Sequence, residues 1–331
     1  MTMLLKALGL TAVLLPFLGG VCAAESALRL EPFPREIRQG DIVSIRLSTA
    51  IPFRSLYGDF RGTQVPVTPG SQPGAFEALL GIDLELRPGT YPLRWVGIGG
   101  QGRVFSKSHT VRVKKADFKT QSLSLPTSMV ELDAPTLERV EREAQRLREL
   151  FRLAREEKLW QGAFLRPVTG EVTSDFGLRR IINGRPHAPH SGVDLKADAG
   201  TPVLASNRGV VALVDDLFFS GISVILDHGW GLYSMYFHLA EALVRHGEVI
   251  SKGTVLGRVG STGRSTAPHL HWGIRIQGAR VDPFSLLRST QSLGESPRGS
   301  IAPEGPWRIA GTGPQSGKGG FISSDPVAAI G

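Results

Sequence analysis

The sequence predicts a mainly β protein, with two strand-rich units joined by a single helix. Three observations carry this. The 331 residues include 40 Gly and 22 Pro, a load of turn formers that favours short strands over long helices. Short alternating apolar runs fill two stretches, about 27–115 and 164–287. Between them, over about 133–160, the apolar period switches to three and four, which is the helical one. The length suits roughly two domains, and a hydrophobic share of 41% with 21% charged residues is ordinary for a soluble globular chain.

Residues 1–24 carry the pattern of an export signal. Lys6 supplies the positive start, residues 7–18 an apolar run short for a bilayer span, and Val21-Cys22-Ala23-Ala24 small residues for cleavage. The alternative is an uncleaved anchor. A lipid on Cys22 is disfavoured, because Val21 precedes the cysteine and Gly19 stands where such signals carry Leu. Cys22 is the single cysteine, so the mature chain is expected to hold no disulfide, and any metal must be held by His and carboxylates. The formal charge is +8 and the pI about 9.9, which suits anionic cell-wall polymers. The Lys and Arg residues are scattered without a basic block, which disfavours nucleic acid. No later segment is apolar enough to span a membrane, so no stable span is expected after cleavage.

Residues 25–117 are expected to form an Ig-like β-sandwich. The strand candidates are 42–47, 77–86, 91–96 and 109–113, separated by Gln39-Gly40-Asp41, Pro69-Gly70 and Arg87-Pro88-Gly89-Thr90. The phrase Pro88-Gly89-Thr90-Tyr91 is similar to Ig-like modules of bacterial surface proteins. His109 stands alone here and is taken as structural.

Residues 118–162 are expected to be a linker with an amphipathic helix. Leu137, Val140, Ala144, Leu147, Phe151 and Ala154 form its stripe, Asp133 an N-cap, and Pro135 lies in the first turn. Glu138 with Arg142, and Arg152 with Glu156, are spaced as ion pairs. The stripe is short for a coiled coil, so it is expected to lie on a neighbouring domain. Residues 163–288 form the second β unit and hold seven of the eight histidines. Residues 289–331 are Gly/Ser/Pro-rich and are expected to be disordered.

Three stretches in the second unit carry chemistry: His190-Ser191-Gly192-Val193-Asp194, Tyr236-Phe237-His238-Leu239 and His269-Leu270-His271-Trp272. If His269 and His271 begin a strand, both leave one face of the sheet. With His190, Asp194 and one of that pair, two imidazoles and a carboxylate make a His₂Asp set. Three protein ligands with a fourth position open is the layout of catalytic zinc, which lowers the pKa of water to about 7. His187 lacks the glycine-containing spacing to Asp194. His228 is expected to hold a turn, and His246 to be solvated.

These stretches, with Ser174-Asp175-Phe176-Gly177-Leu178-Arg179, Asp227-His228-Gly229 and Gly260-Ser261-Thr262-Gly263, resemble the lysostaphin-type, LytM-like family of zinc endopeptidases. The resemblance runs over most of 165–287. It implies an antiparallel β-sheet peptidase domain with one Zn2+ on His190, Asp194 and His271, and catalytic roles for His238 and His269. All five positions are filled as the family requires. Ala267 stands where the family often has Gly, and Gly273 where Glu is frequent; neither is a ligand. The implied function is hydrolysis of peptide cross-links in bacterial peptidoglycan, with D-alanyl–diaminopimelate bonds favoured over glycine bridges. The implied place is the periplasm or envelope of a Gram-negative cell, with secretion or N-terminal anchoring as the alternative. The peptide stems of peptidoglycan are then the partner, and an envelope protein would meet the Ig-like unit or the helix. One rival is a non-catalytic LytM-like protein that binds wall or activates an amidase. Another is a lipoyl- or biotinyl-carrier hairpin at residues 247–257, and a carrier has no use for clustered histidines.

Overall fold

The computed structural model describes residues 28–31, 36–70, 72–124, 132–153, 155 and 157–291. The signal segment 1–24 and the tail beyond 291 lie outside the described residues, as do Ala154 and Glu156.

The N-terminal unit is one eight-stranded sheet bent over its own core. Its spatial order is Leu28–Leu30, Ile42–Thr49, Ala75–Gly81, Thr63–Pro69, Phe53–Phe60, Gly89–Gly99, Val104–Lys114 and Ile37–Arg38. The strand Thr63–Pro69 makes the bend. Thr63 to Pro66 pair with Phe53–Phe60, whereas Val67 to Pro69 pair with Ala75–Gly81. Period-two alternation sends Val43, Ile45, Leu47, Ala78, Leu80, Leu93 and Trp95 into the enclosed core.

The strand candidate 77–86 ends early, at Gly81. Asp83 and Glu85 turn out of the sheet because Arg280 binds both, at 2.9 and 2.6 Å. Four strands, Leu28–Leu30, Ile37–Arg38, Phe53–Phe60 and Thr63–Pro69, are additional to those expected.

The helix α1 (Ala134–Arg152) starts as the spacing predicts, with Asp133 accepting a hydrogen bond from the Thr136 N–H at 3.0 Å and Pro135 in the first turn. Val140, Ala144, Leu147 and Phe151 are buried against Leu213, Leu217, Phe219, Ile225, Tyr233, Met235 and Phe237 of the second sheet. Leu137, at the start of the predicted stripe, is left exposed. Glu138 and Arg142 pair at 3.6 Å on the solvent side. No helix among the described residues is long and apolar enough to cross a membrane.

The second unit is a ten-stranded sheet. Its main path runs Val172–Ser174, Gly192–Lys196, His269–Ile276, Leu232–Ala242, Gly221–Asp227, Gly209–Leu217 and Val249–Ile250, with antiparallel pairing throughout. Its core includes Val193, Leu195, Leu270, Trp272 and Ile274. Ile42 and Leu79, from the other face of their strand pair, and Leu84, beyond it, join that core from the first unit. The helix α2 (Pro283–Gln291) closes the junction, with Ser285 Oγ accepting the Ile42 N–H at 2.8 Å and Ser289 Oγ donating to the Ile42 carbonyl at 2.8 Å. A small third sheet sits beside the first strand of the path. There Thr120–Leu123 pairs in parallel with Arg179–Ile182, which also pairs with Arg185–Pro186.

Candidate metal centre

The two central strands bring the motifs into one register. Asp194 on Gly192–Lys196 lies directly opposite His271 on His269–Ile276, and His271 lies opposite Phe237 on Leu232–Ala242. Alternation along His269–Ile276 puts Leu270 and Trp272 into the core and leaves His269 and His271 on the site face. His190 stands just before its strand, held by the backbone: its N–H donates to the Leu178 carbonyl, and its own carbonyl accepts from Gly177.

Three ligand-type atoms converge there. His190 Nε2, His271 Nδ1 and Asp194 Oδ1 are each 3.0 Å from the other two. His190 Nδ1 lies 2.9 Å from the Asp175 carbonyl, to which it donates, so its Nε2 presents a lone pair. A proton shared on one edge of this triangle satisfies one contact; a cation over its centre satisfies all three. At zinc–ligand distances near 2.0–2.1 Å, the edge of a regular tetrahedron is about 3.3 Å, close to the spacing seen. These three residues form a group able to hold a metal ion, and the donor set of two imidazoles and one carboxylate suits zinc.

The surroundings favour this charge arrangement. Burial works against ionising Asp194, yet the facing nitrogens of His190 and His271 hold its carboxyl well below the ordinary range. Arg180 approaches the second carboxylate oxygen, Oδ2, at 4.0 Å. Phe237 stacks on His271 with 6° between ring planes. His271 Nε2 is buried with no hydrogen-bond partner.

Two further histidines complete the cluster. His269 Nε2 is 3.7 Å from Asp194 Oδ1, and its Nδ1 donates to the Ala267 carbonyl at 2.8 Å. His238 Nδ1 donates to the Thr262 carbonyl at 2.9 Å, and its ring centroid is 4.8 Å from that of His269. Each imidazole is thereby fixed in orientation, with its Nε2 left for other work. Burial pushes His238 down to about 4, so its ring is a neutral base near pH 7. His238 sits at φ 61°, a conformation side-chain-bearing residues rarely adopt, held by its N–H on Ser220 and its carbonyl on Gly260.

The other histidines fall outside the centre. His187 is absent from the metal-type group, and His246 is exposed near the Ala212 carbonyl. His228 is fully buried; its Nε2 is 2.7 Å from Ser234 Oγ, which contacts the Tyr236 hydroxyl at 2.9 Å. The turn role expected for it is therefore joined to a core polar network. Sequence inspection singled out neither Arg180 nor Phe237, because an Arg in a hairpin and a Phe in a strand carry no spacing signal.

A sheet-borne His–Asp–His centre with two further anchored imidazoles defines a metallopeptidase-type site. Residues 188–283 match the family described as "Peptidase family M23". The chain is 38% identical over 127 residues to peptidoglycan DD-endopeptidase ShyA of Vibrio cholerae, covering 37% of this chain and 29% of that protein. It is 37% identical over 135 residues to DD-carboxypeptidase/endopeptidase Mpg of Neisseria meningitidis, covering 41% and 31%. The chain thus spans under a third of the length of these curated relatives. The crystal structure of a peptidase M23 protein from Pseudomonas aeruginosa matches with a TM-score of 0.60 at 29% identity, covering 77% of this chain and 96% of that one. That span is too long for the peptidase domain alone, so the likeness in fold includes the N-terminal unit.

Proposed function

We propose that this chain is a zinc endopeptidase that hydrolyses peptide cross-links of bacterial peptidoglycan, with D-alanyl–diaminopimelate bonds as its substrate. The observation that carries the proposal is the 3.0 Å triangle of His190, Asp194 and His271 with His238 and His269 beside it. The relatives named DD-endopeptidase support the choice of bond.

His190, Asp194 and His271 are the metal ligands in this proposal. When bound, zinc supplies water activation and polarises the scissile carbonyl. His238 and His269 do the rest with their free Nε2 atoms. One accepts the proton of the attacking water at Nε2, and the other, when it carries a proton on both nitrogens, donates a hydrogen bond from Nε2 to the oxyanion of the tetrahedral intermediate. His238, neutral and anchored through Nδ1, offers its Nε2 lone pair as an acceptor. The immunoglobulin-type reading of residues 25–117, the domain boundaries and a periplasmic location belong to the same proposal. An exported enzyme would meet this substrate there.

The test is incubation of the zinc-loaded protein with cross-linked muropeptide dimers of the D-alanyl–diaminopimelate type beside pentaglycine, with products identified by mass spectrometry. Release of monomers is the expected result. Cleavage of pentaglycine with intact dimers would reverse the substrate assignment, and no cleavage of either with zinc bound would favour a wall-binding role.

A further inference from the structure

One guanidinium stands beside the metal centre and a second lies on the loop that anchors His238. Arg180 comes from the strand Arg179–Ile182, on the side of the sheet that begins with Val172–Ser174. Its terminal nitrogen is 4.0 Å from Asp194 Oδ2 and 3.5 Å from Ser174 Oγ. Arg264 comes from the loop joining Val255–Val259 to His269–Ile276. This same loop supplies the Thr262 carbonyl that holds His238.

The Arg264 N–H donates to the Phe219 carbonyl at 2.8 Å, and its guanidinium carbon lies 4.2 Å from the centroid of the Phe219 ring. Phe219 belongs to the turn before Gly221–Asp227, next to Ser220, whose carbonyl receives the His238 N–H. In sheet order, the strands carrying His271 and His238 lie between Val172–Ser174 and Gly221–Asp227.

Arg264 has no ion-pair partner among the described residues. Burial lowers its pKa, and the like charge of Arg180 lowers it further. Among the described residues only Arg180 has a carboxylate beside it, the metal-directed Asp194, so Arg264 carries an uncompensated charge on the loop that holds His238. An arginine resting on an aromatic face keeps its N–H edge free for a planar anion.

We propose that Arg180 and Arg264 form a carboxylate subsite that selects amides whose nitrogen is attached to a carbon bearing a free carboxylate. This rests on the peptidase assignment above. A D-alanyl–diaminopimelate cross-link has such a carboxylate on the leaving amine's own carbon. A terminal D-alanine has one too, whereas an internal glycine of a bridge does not. The site therefore takes both cross-linked and terminal D-alanyl substrates. Hydrolysis adds hydroxide to the acyl carbon and a proton to the leaving nitrogen as the C–N bond breaks. The carboxylate is bound, and unchanged, throughout.

The experiment compares kcat/KM of the zinc-loaded full chain on two dimers, one with that carboxylate free and one with it amidated. The free form should be preferred about 10- to 100-fold, the range of a charge-assisted hydrogen-bond pair. In R264Q the preference should fall to within about threefold, with zinc content retained. R264K should recover part of it, since an ammonium keeps the charge and loses the fork. Equal rates on the two dimers in the wild type, or a full preference kept in R264Q, would overturn the subsite while leaving the peptidase assignment standing. Should R264Q not fold, the wild-type ratio decides alone. Cleavage of pentaglycine with both dimers intact would overturn substrate and subsite together.

Discussion

Gly192 and Gly273 face each other across the two strands that carry Asp194 and His271, and the imidazole of His271 lies over Gly192. The two glycines are not equivalent. A Cβ on Gly192 would stand 2.5 Å from the Trp272 carbonyl oxygen and 2.7 Å from His271 Nε2, both fixed atoms. A Cβ on Gly273 would meet the tip of Met235 at 2.7 Å, which can swing away, and His271 Nε2 only at 3.6 Å. Gly192→Ala is therefore expected to displace His271 and lose the metal. Gly273→Ala should keep about one zinc per chain. Metal analysis after dialysis checks this, and equal zinc in both variants would remove the steric distinction.

Ligands and catalytic groups should separate by metal content. His190→Ala, Asp194→Ala and His271→Ala each remove one of three converging atoms, so each should strip or greatly weaken zinc. His238→Ala and His269→Ala should keep zinc and lose about 10²–10⁴ in rate, the usual contribution of a positioned acid or base. Full activity in either of the last two would exclude that residue from the chemistry.

Much of this site was legible because its signal is periodic. His269 and His271 had to share a face if they lay on a strand. What fixes the rings was not legible. The carbonyls of Asp175, Thr262 and Ala267 that set the imidazoles are backbone atoms, available at every residue and placed only by the loops. The helix stripe predicted a packed face for α1, but Leu137 is exposed and outside the cluster that Val140, Ala144, Leu147 and Phe151 join. The early end of Ala75–Gly81 depended on Arg280, 197 positions away from Asp83, a separation at which no local pattern operates.

Acid sensitivity should come partly from His228. Burial lowers this imidazole from 6.5 to about 4. Below pH 6.5 the unfolded chain takes up a proton that the folded chain refuses, so stability is full above that pH and falls as pH drops toward 4. Over that window the loss is about 3 kcal/mol. Urea unfolding between pH 7 and pH 4 measures it. In His228→Asn this part of the slope should vanish, at a cost in stability near neutral pH from the disturbed contacts with Ser234 and the Arg208 carbonyl.

The last expectation concerns how much chain the catalytic sheet needs. The sequence suggests that residues 163–288, which hold every proposed ligand, fold alone. The packing adds a condition. Cutting at 163 removes α1 and uncovers Leu213, Leu217, Phe219, Ile225, Tyr233, Met235 and Phe237, the face that Val140, Ala144, Leu147 and Phe151 cover. At about 1.5–3 kcal/mol for each large side chain taken out of water, losing Leu147 and Phe151 alone removes several kcal/mol. The same face backs the site, since Phe237 stacks on His271 and Phe219 carries Arg264. Loss of the first unit further withdraws Ile42, Leu79 and Leu84 from the main core and the Asp83–Arg280 pair. Melting temperature should therefore fall from the full chain to 132–291 and again to 163–288, with zinc retained longest in the first. Leu147→Ala in the full chain should cost about 2–5 kcal/mol in urea unfolding. A 163–288 fragment that melts with the full chain and holds one zinc would show that α1 only tethers the two units and does not support the catalytic sheet.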